Sequence, residues 1–202
     1  EERKEFQVRC RCALDGLEVL LQSLLQISKM EAGLIQINRE KMPLMETIIS
    51  AVNRVYPNAR AKEIEFVFDY DEALENDCIL QDKKWLGEAF INVFDNAIKY
   101  SPAGSEVYVR IQKRTDFIRI EIEDNGVGIP KVEYHKIFQR FFKGSLPEVK
   151  EENGSGIGLF LSRKIIEQHG GTITVSSNLE LKKELDGKTG SVFIIQLPDN
   201  AK

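Results

Sequence analysis

Cysteine is scarce in these 202 residues: Cys10, Cys12 and Cys78 are the whole supply. An odd count without metal-like spacing excludes a disulfide framework and leaves reduced thiols, as in a cytoplasmic protein. Histidine is scarcer, with only His135 and His169. No run of about 18 apolar residues occurs, and the opening residues Glu1 to Glu5 are too charged for a secretory signal. Nothing here is expected to cross a membrane. Nor is there a surplus of positive charge: 28 Lys and Arg against 32 Asp and Glu give a net charge of −4, which argues against a nucleic-acid partner. Any anionic ligand has to be held locally. The remainder is ordinary globular composition, 42% hydrophobic and 30% charged, enough for one domain of about 150 residues with a segment appended. Because the chain opens in mid-helix, it is expected to be a fragment, with any membrane attachment of the parent lying outside it.

Hydrophobic spacing divides the chain near residue 33. From Glu5 to Glu31 there is no proline, and Leu14, Leu17, Leu21 and Leu24 recur at three- and four-residue steps with Leu20 and Ile27 beside them, which predicts a long amphipathic helix stopped by Gly33. That stripe fits either an intramolecular core helix or a helix paired with a second chain. Residues 34–202 read as a compact α+β domain. A short strand is expected around Ile35 and Ile37, then a helix from Pro43 to Ala59 with Leu44, Ile48, Val52 and Val55 on one face. The period changes to two over Ile64 to Tyr70, a strand, and returns to helical over Asp82 to Tyr100. A hairpin of Val107–Gln112 and Phe117–Glu123, a helix near Val132–Phe138, a polar loop over Gly144–Ser155, a helix over Ile157–His169 and strands at Thr172–Ser176 and Val192–Leu197 complete it. Interleaved helices and hairpins predict an α+β two-layer sandwich with helices on a mixed sheet, not a doubly wound sheet.

Four segments carry chemistry. On the helix 82–100, Glu88, Asn92, Asn96 and Lys99 form a narrow polar stripe opposite the apolar side. Asparagine is a poor helix former, so two of them one turn apart suggest that their amides are wanted. An amide oxygen can ligate Mg²⁺, and a lysine one turn on can meet phosphate. The second segment is Asp124-Asn125-Gly126-Val127-Gly128-Ile129-Pro130. Ile118, Ile120 and Ile122 share a strand face, and the period of two carries Asp124 onto it. A buried ionised carboxylate accepts hydrogen bonds only, which suits an exocyclic amine such as that of adenine. Third, Gly154-Ser155-Gly156-Ile157-Gly158-Leu159 opens a helix and leaves main-chain amides and the positive dipole end for phosphate. It lacks the Gly-Lys-Ser/Thr ending of a P-loop and the preceding strand of a Rossmann turn. The fourth, Ile137-Phe138-Gln139-Arg140-Phe141-Phe142-Lys143, is aromatic and basic at once. Each segment alone has a plain structural reading: a solvated helix face, an Asx turn, a flexible loop, a packed core.

In order and spacing the four together resemble the sensor histidine kinases. Asn92 to Pro102 resembles their asparagine box, the Asp124 segment their first glycine box, Phe138 to Phe142 their phenylalanine box and Gly154 to Gly158 their second glycine box; Ile166 to Gly171 and Gly190 to Phe193 extend the likeness. The resemblance implies the ATP-binding fold shared with gyrase, heat-shock-chaperone and mismatch-repair ATPases. It implies that Asp124 meets the adenine amine, that Asn96 ligates Mg²⁺ with Asn92 adjacent, and that Lys99 and Tyr100 lie toward nucleotide. Gly126, Gly128, Ile129, Arg140, Lys143, Gly154, Gly156, Gly158, Leu159 and Ser191 join the same ATP-binding set, with residues 139–155 as a mobile lid. Asn92 and Lys99 are the catalytic candidates. Water-splitting members resemble one another in a glutamate one turn before the metal asparagine; here Asn92 stands there, and an amide cannot act as a general base. Transfer to a protein acceptor is therefore expected over rapid hydrolysis.

The acceptor is the departure from a complete kinase. His135 and His169 both lie outside any phosphoacceptor-like box, and the helix 5–31, ending Ser28-Lys29-Met30-Glu31-Ala32-Gly33, resembles the second helix of the dimerisation and phosphotransfer hairpin. The resemblance implies a homodimeric parent, an acceptor helix before residue 1 and a response regulator as partner. A nucleotide-gated binding module and an anti-sigma-type serine kinase of the same fold are the competing readings.

Overall fold

The computed structural model describes residues 6–7, 11, 14, 17–18, 21, 24–25, 28–29, 32–33, 36–71, 74, 77–151, 154–177 and 189–199. The chain forms two compact units, Glu1–Gln36 and Ile37–Lys202. In the first, every described position from 6 to 29 is helical, and Leu14, Leu17, Leu21 and Leu24 are exposed. Leu20, Ile27 and the remaining positions of the expected helix lie outside the described residues. Gly33 takes φ +66°, as a helix stop does.

The second unit runs β1 (Glu40–Pro43), α1 (Leu44–Ala61), β2 (Glu65–Tyr70), β3 (Cys78–Gln81), α2 (Lys83–Tyr100), β4 (Glu106–Lys113), β5 (Phe117–Glu123), α3 (Pro147–Glu151), α4 (Gly158–Gln168), β6 (Thr172–Ser177) and β7 (Ser191–Pro198). Five strands make one mixed sheet in the order β2-β4-β5-β7-β6, in which only β2 and β4 are parallel. One face of that sheet is apolar. Val107, Val109, Ile111, Ile118, Ile120, Ile122, Phe193, Ile195 and Leu197 are buried, meeting Leu86, Phe90, Val93, Phe94, Ile165 and Ile166 from α2 and α4, which are almost fully buried too. Each such side chain contributes about 1.5–3 kcal/mol when withdrawn from water. The opposite face is polar, with Arg110 to Glu123 at 2.7 Å and Arg119 to Glu121 at 2.6 Å. Helices cover one side only, the two-layer arrangement that the pattern predicts.

Three local expectations are corrected. The early strand lies at Glu40–Pro43, not around Ile37, because it pairs antiparallel with β3, a four-residue strand too short to show a period. Buried Gln81 there donates to Met42 O and Pro43 O and accepts from Thr47 Oγ1. The region Val132–Phe138 is not an α-helix but a 3₁₀ turn at Lys131–Glu133 followed by further turns. Val132 is 77% exposed whereas Glu133 is buried, receiving Ser145 N at 3.1 Å, so the apolar residue at 132 was a misleading anchor. The polar loop after Gly144 contains the short α3.

Candidate nucleotide site

Asp124 directly follows β5 and is buried, 5% exposed. One oxygen, Oδ1, accepts from Gly126 N at 2.8 Å and Ser191 N at 3.1 Å. Burial pushes the carboxyl up from its ordinary 3.8 to about 6, against the pull of those amides, because a charge removed from water is disfavoured. The turn that follows is held from behind. Thr189 Oγ1 donates to Gly126 O at 2.7 Å, and Ser177 Oγ donates to Gly190 O at 2.6 Å and receives Ile129 N at 3.0 Å. Gly190 passes so close that a Cβ there would stand 2.0 Å from Asp124 O.

From this carboxylate the site continues onto α2. A Cβ at Gly126 would lie 2.8 Å from Tyr100 O, so the first glycine segment abuts the end of α2. Lys99 Nζ lies 5.2 Å from the Tyr100 ring centre and 3.0 Å from where a Gly154 Cβ would be. Asn92 stands against the N-terminus of α4: its Oδ1 is 3.2 Å from a Cβ placed on Gly158. Asn96 Nδ2 donates to Asn92 O at 2.7 Å. That bond engages the amide nitrogen and leaves the oxygen, the atom Mg²⁺ takes, as the group's remaining ligand. Among the described residues no trio of His, Cys, Asp and Glu forms a metal site. Glu88, the fourth member of the stripe, pairs with Arg54 of α1 instead.

Phe141, Phe142 and Gly156, at the two ends of the segment expected as a lid, come together. Gly156 has φ +68°, and a Cβ on it would meet Phe141 C and Phe142 O at 2.8 Å; only glycine fits that approach. Phe141 is itself left-handed at φ 60°. Two cation–π contacts tie the phenylalanine segment to α4, Arg140 over Phe160 at 4.8 Å and Arg163 over Phe138 at 5.8 Å. Arg140 is thus directed to α4. Lys143 is exposed and Leu159 half-buried. Gly128 is left-handed at φ +76°.

Sequence reasoning missed Thr189, Ser177 and Ser162. The Ser162 hydroxyl lies 3.1 Å from Ala89 O and 3.0 Å from Gly158 O, fastening α4 to α2. Small hydroxyls that bond distant main chain leave no spacing signal. His169 is structural: it is 2% exposed, with Nδ1 2.7 Å from Ile165 O and Nε2 accepting Asp82 N at 3.0 Å. That pattern fixes the tautomer protonated on Nδ1. His135 is exposed.

Residues 81–201 match the family described as histidine kinase-, DNA gyrase B- and HSP90-like ATPases, and the chain belongs to it. Within that class it groups with the sensor histidine kinases. It is 33% identical to the solved mycobacterial sensor histidine kinase MprB, over 79% of this chain and 97% of that one, with a TM-score of 0.66. It is 26% identical over 199 residues to the circadian input-output histidine kinase CikA of Synechococcus elongatus, covering 98% of this chain and 25% of CikA. The histidine kinase ThkA, solved in complex with the response regulator protein TrrA, shares the fold at 24% identity and a TM-score of 0.71, over 94% of this chain and 49% of that one. The chain spans 25–29% of the length of the first curated relatives it matches.

Proposed function

We propose that this chain binds Mg-ATP and acts as the catalytic part of a protein histidine kinase. It passes the γ-phosphoryl group to a histidine on a helix outside these residues, for relay to a response-regulator aspartate. The observation that carries the reading is the buried Asp124, with Oδ1 held by two main-chain amides, placed through Gly126 against Tyr100 O at the end of α2, the helix that carries Asn92, Asn96 and Lys99. An ionised carboxylate so placed is costly to bury, and its remaining acceptor capacity suits an amine. Asp124 then orients the purine, Lys99 faces phosphate as a point charge, and the α4 N-terminus offers main-chain amides. Bound Mg²⁺ would be held by Asn96 and would neutralise phosphate charge. In the transfer, the acceptor imidazole nitrogen forms a bond to the γ-phosphorus as the bond to the bridging oxygen breaks and ADP leaves; positioning and charge supply the catalysis. Asn92, an amide against α4, orders the site and takes no proton.

The leucine-striped leading helix supports a homodimeric parent, and ThkA's complex supports a response regulator as partner. No helix among the described residues is long and apolar enough to span a membrane, and we place this portion of the parent in the cytoplasm. The test adds radiolabelled ATP to the chain, alone and with the parent's acceptor helix in trans. ATP binding without self-labelling, and acid-labile label on the acceptor helix, are expected. Stable label on His135 or His169 refutes the reading, and ATP binding with no transfer to the supplied helix favours a nucleotide-gated module.

A further inference from the structure

Helix α2 ends without a cap of its own. Ser101 precedes Pro102 and is extended, at φ −78° and ψ 146°, because the proline ring excludes helical geometry at the residue before it. A left-handed glycine cap is therefore unavailable, and the last carbonyls need another donor. Ser101 N takes Ala97 O at 3.2 Å. The next two carbonyls are taken from outside the helix: Lys62 Nζ donates to Ile98 O at 3.1 Å and Lys99 O at 2.7 Å, and reaches Ser101 O at 3.4 Å. Lys62 is itself fixed, being the C-cap of α1 with N–H bonds to Asn58 O and Ala59 O, while its carbonyl receives Gly104 N at 2.9 Å. Three carbonyls match the three donors of an ammonium group, and the charge faces the negative end of the α2 dipole.

From this geometry we infer that Lys62 is a positioning residue of the nucleotide site. The last turn of α2 carries Lys99 and Tyr100, and Tyr100 O is the wall against which the Gly126 turn rests. Lys62 holds that turn wound from the side of α1. Without it the carbonyls seek water, the turn frays, and Lys99 and the wall behind Asp124 lose their fixed positions together. The inference rests on the proposed ATP-binding role of those residues.

Lys62→Met keeps the stem and removes the donors, and Lys62→Arg restores a cation with donors. Val55→Ala, buried in the same helix at 3% exposure, serves as a control destabilised through the core. Calorimetric ATP titration of the whole chain, at a temperature where every variant is folded, is expected to show Lys62→Met weakened about tenfold, the loss associated with one hydrogen bond to a charged group. Lys62→Arg should recover most of that affinity, and Val55→Ala should stay within about twofold of wild type. Amide exchange at Tyr100 and Ser101 should quicken in Lys62→Met only. A wild-type chain that fails to bind ATP overturns the proposed function, and this inference with it. A wild-type chain that binds, with Lys62→Met binding equally well or Val55→Ala losing as much, overturns the inference alone.

Discussion

Asp124 has two oxygens in unequal surroundings, and that inequality decides what a substitution does. Oδ1 is committed to the amides of Gly126 and Ser191. In Asp124→Asn the amide oxygen keeps those donors, so the NH₂ group must take the place of the other carboxylate oxygen. An adenine amine would then face a donor instead of an acceptor. ATP affinity is expected to fall by about 10- to 100-fold, the worth of a hydrogen bond to a charged group. Calorimetry showing affinity within about threefold of wild type would remove Asp124 from purine recognition. This residue was legible in the sequence because a carboxylate fell in phase with three buried isoleucines. Thr189 and Ser177, which brace the same turn, were not, since a hydroxyl that bonds a carbonyl 63 residues away has no local pattern.

At the scale of elements the site is a meeting of ends: the end of β5, the last turn of α2 and the first turn of α4. Two glycines test whether these junctions are structural or functional. A methyl at Gly190 would stand 2.0 Å from Asp124 O, main chain against main chain. Gly190→Ala is therefore expected to lose about 3 kcal/mol or more as β7 is forced off β5, measured by urea denaturation. The atoms nearest a methyl at Gly158 are those of the Asn92 side chain, with Oδ1 at 3.2 Å, and alanine is the better helix former. Gly158→Ala should leave stability unchanged or raised while displacing Asn92 and weakening ATP binding. Equal damage to both properties would make the α4 N-terminus merely a packing joint. Long periodic elements such as α2 and β5 were readable because burial repeats along them. β3 and the turns at 131–140 were not, for there burial is set by single residues, Gln81 and Glu133, whose partners lie in other segments.

For the whole molecule, two buried titratable groups pull stability in opposite directions across one pH range. Asp124 is raised from 3.8 to about 6, so between those values the folded chain keeps a proton that the unfolded chain has released. Its contribution is fully present below pH 3.8 and lost as pH rises through about 6, amounting to about 3 kcal/mol. His169 is lowered from 6.5 by burial, so the unfolded chain takes the proton first. Its contribution is fully present above pH 6.5 and lost as pH falls toward the depressed value. The two slopes offset one another in the wild-type chain, and single variants separate them. Asp124→Asn is expected to gain stability over wild type as pH rises from about 4 to 6, with the gain flat above that. His169→Gln should lose stability at neutral pH, with the deficit shrinking on acidification. Melting temperatures from about pH 4 to 8 decide it. An Asp124→Asn gain that did not change with pH would mean that folding does not raise the acid and that it is already ionised at about pH 4. At neutral pH, above about 6, the carboxylate is charged in either case, the form in which it only accepts hydrogen bonds.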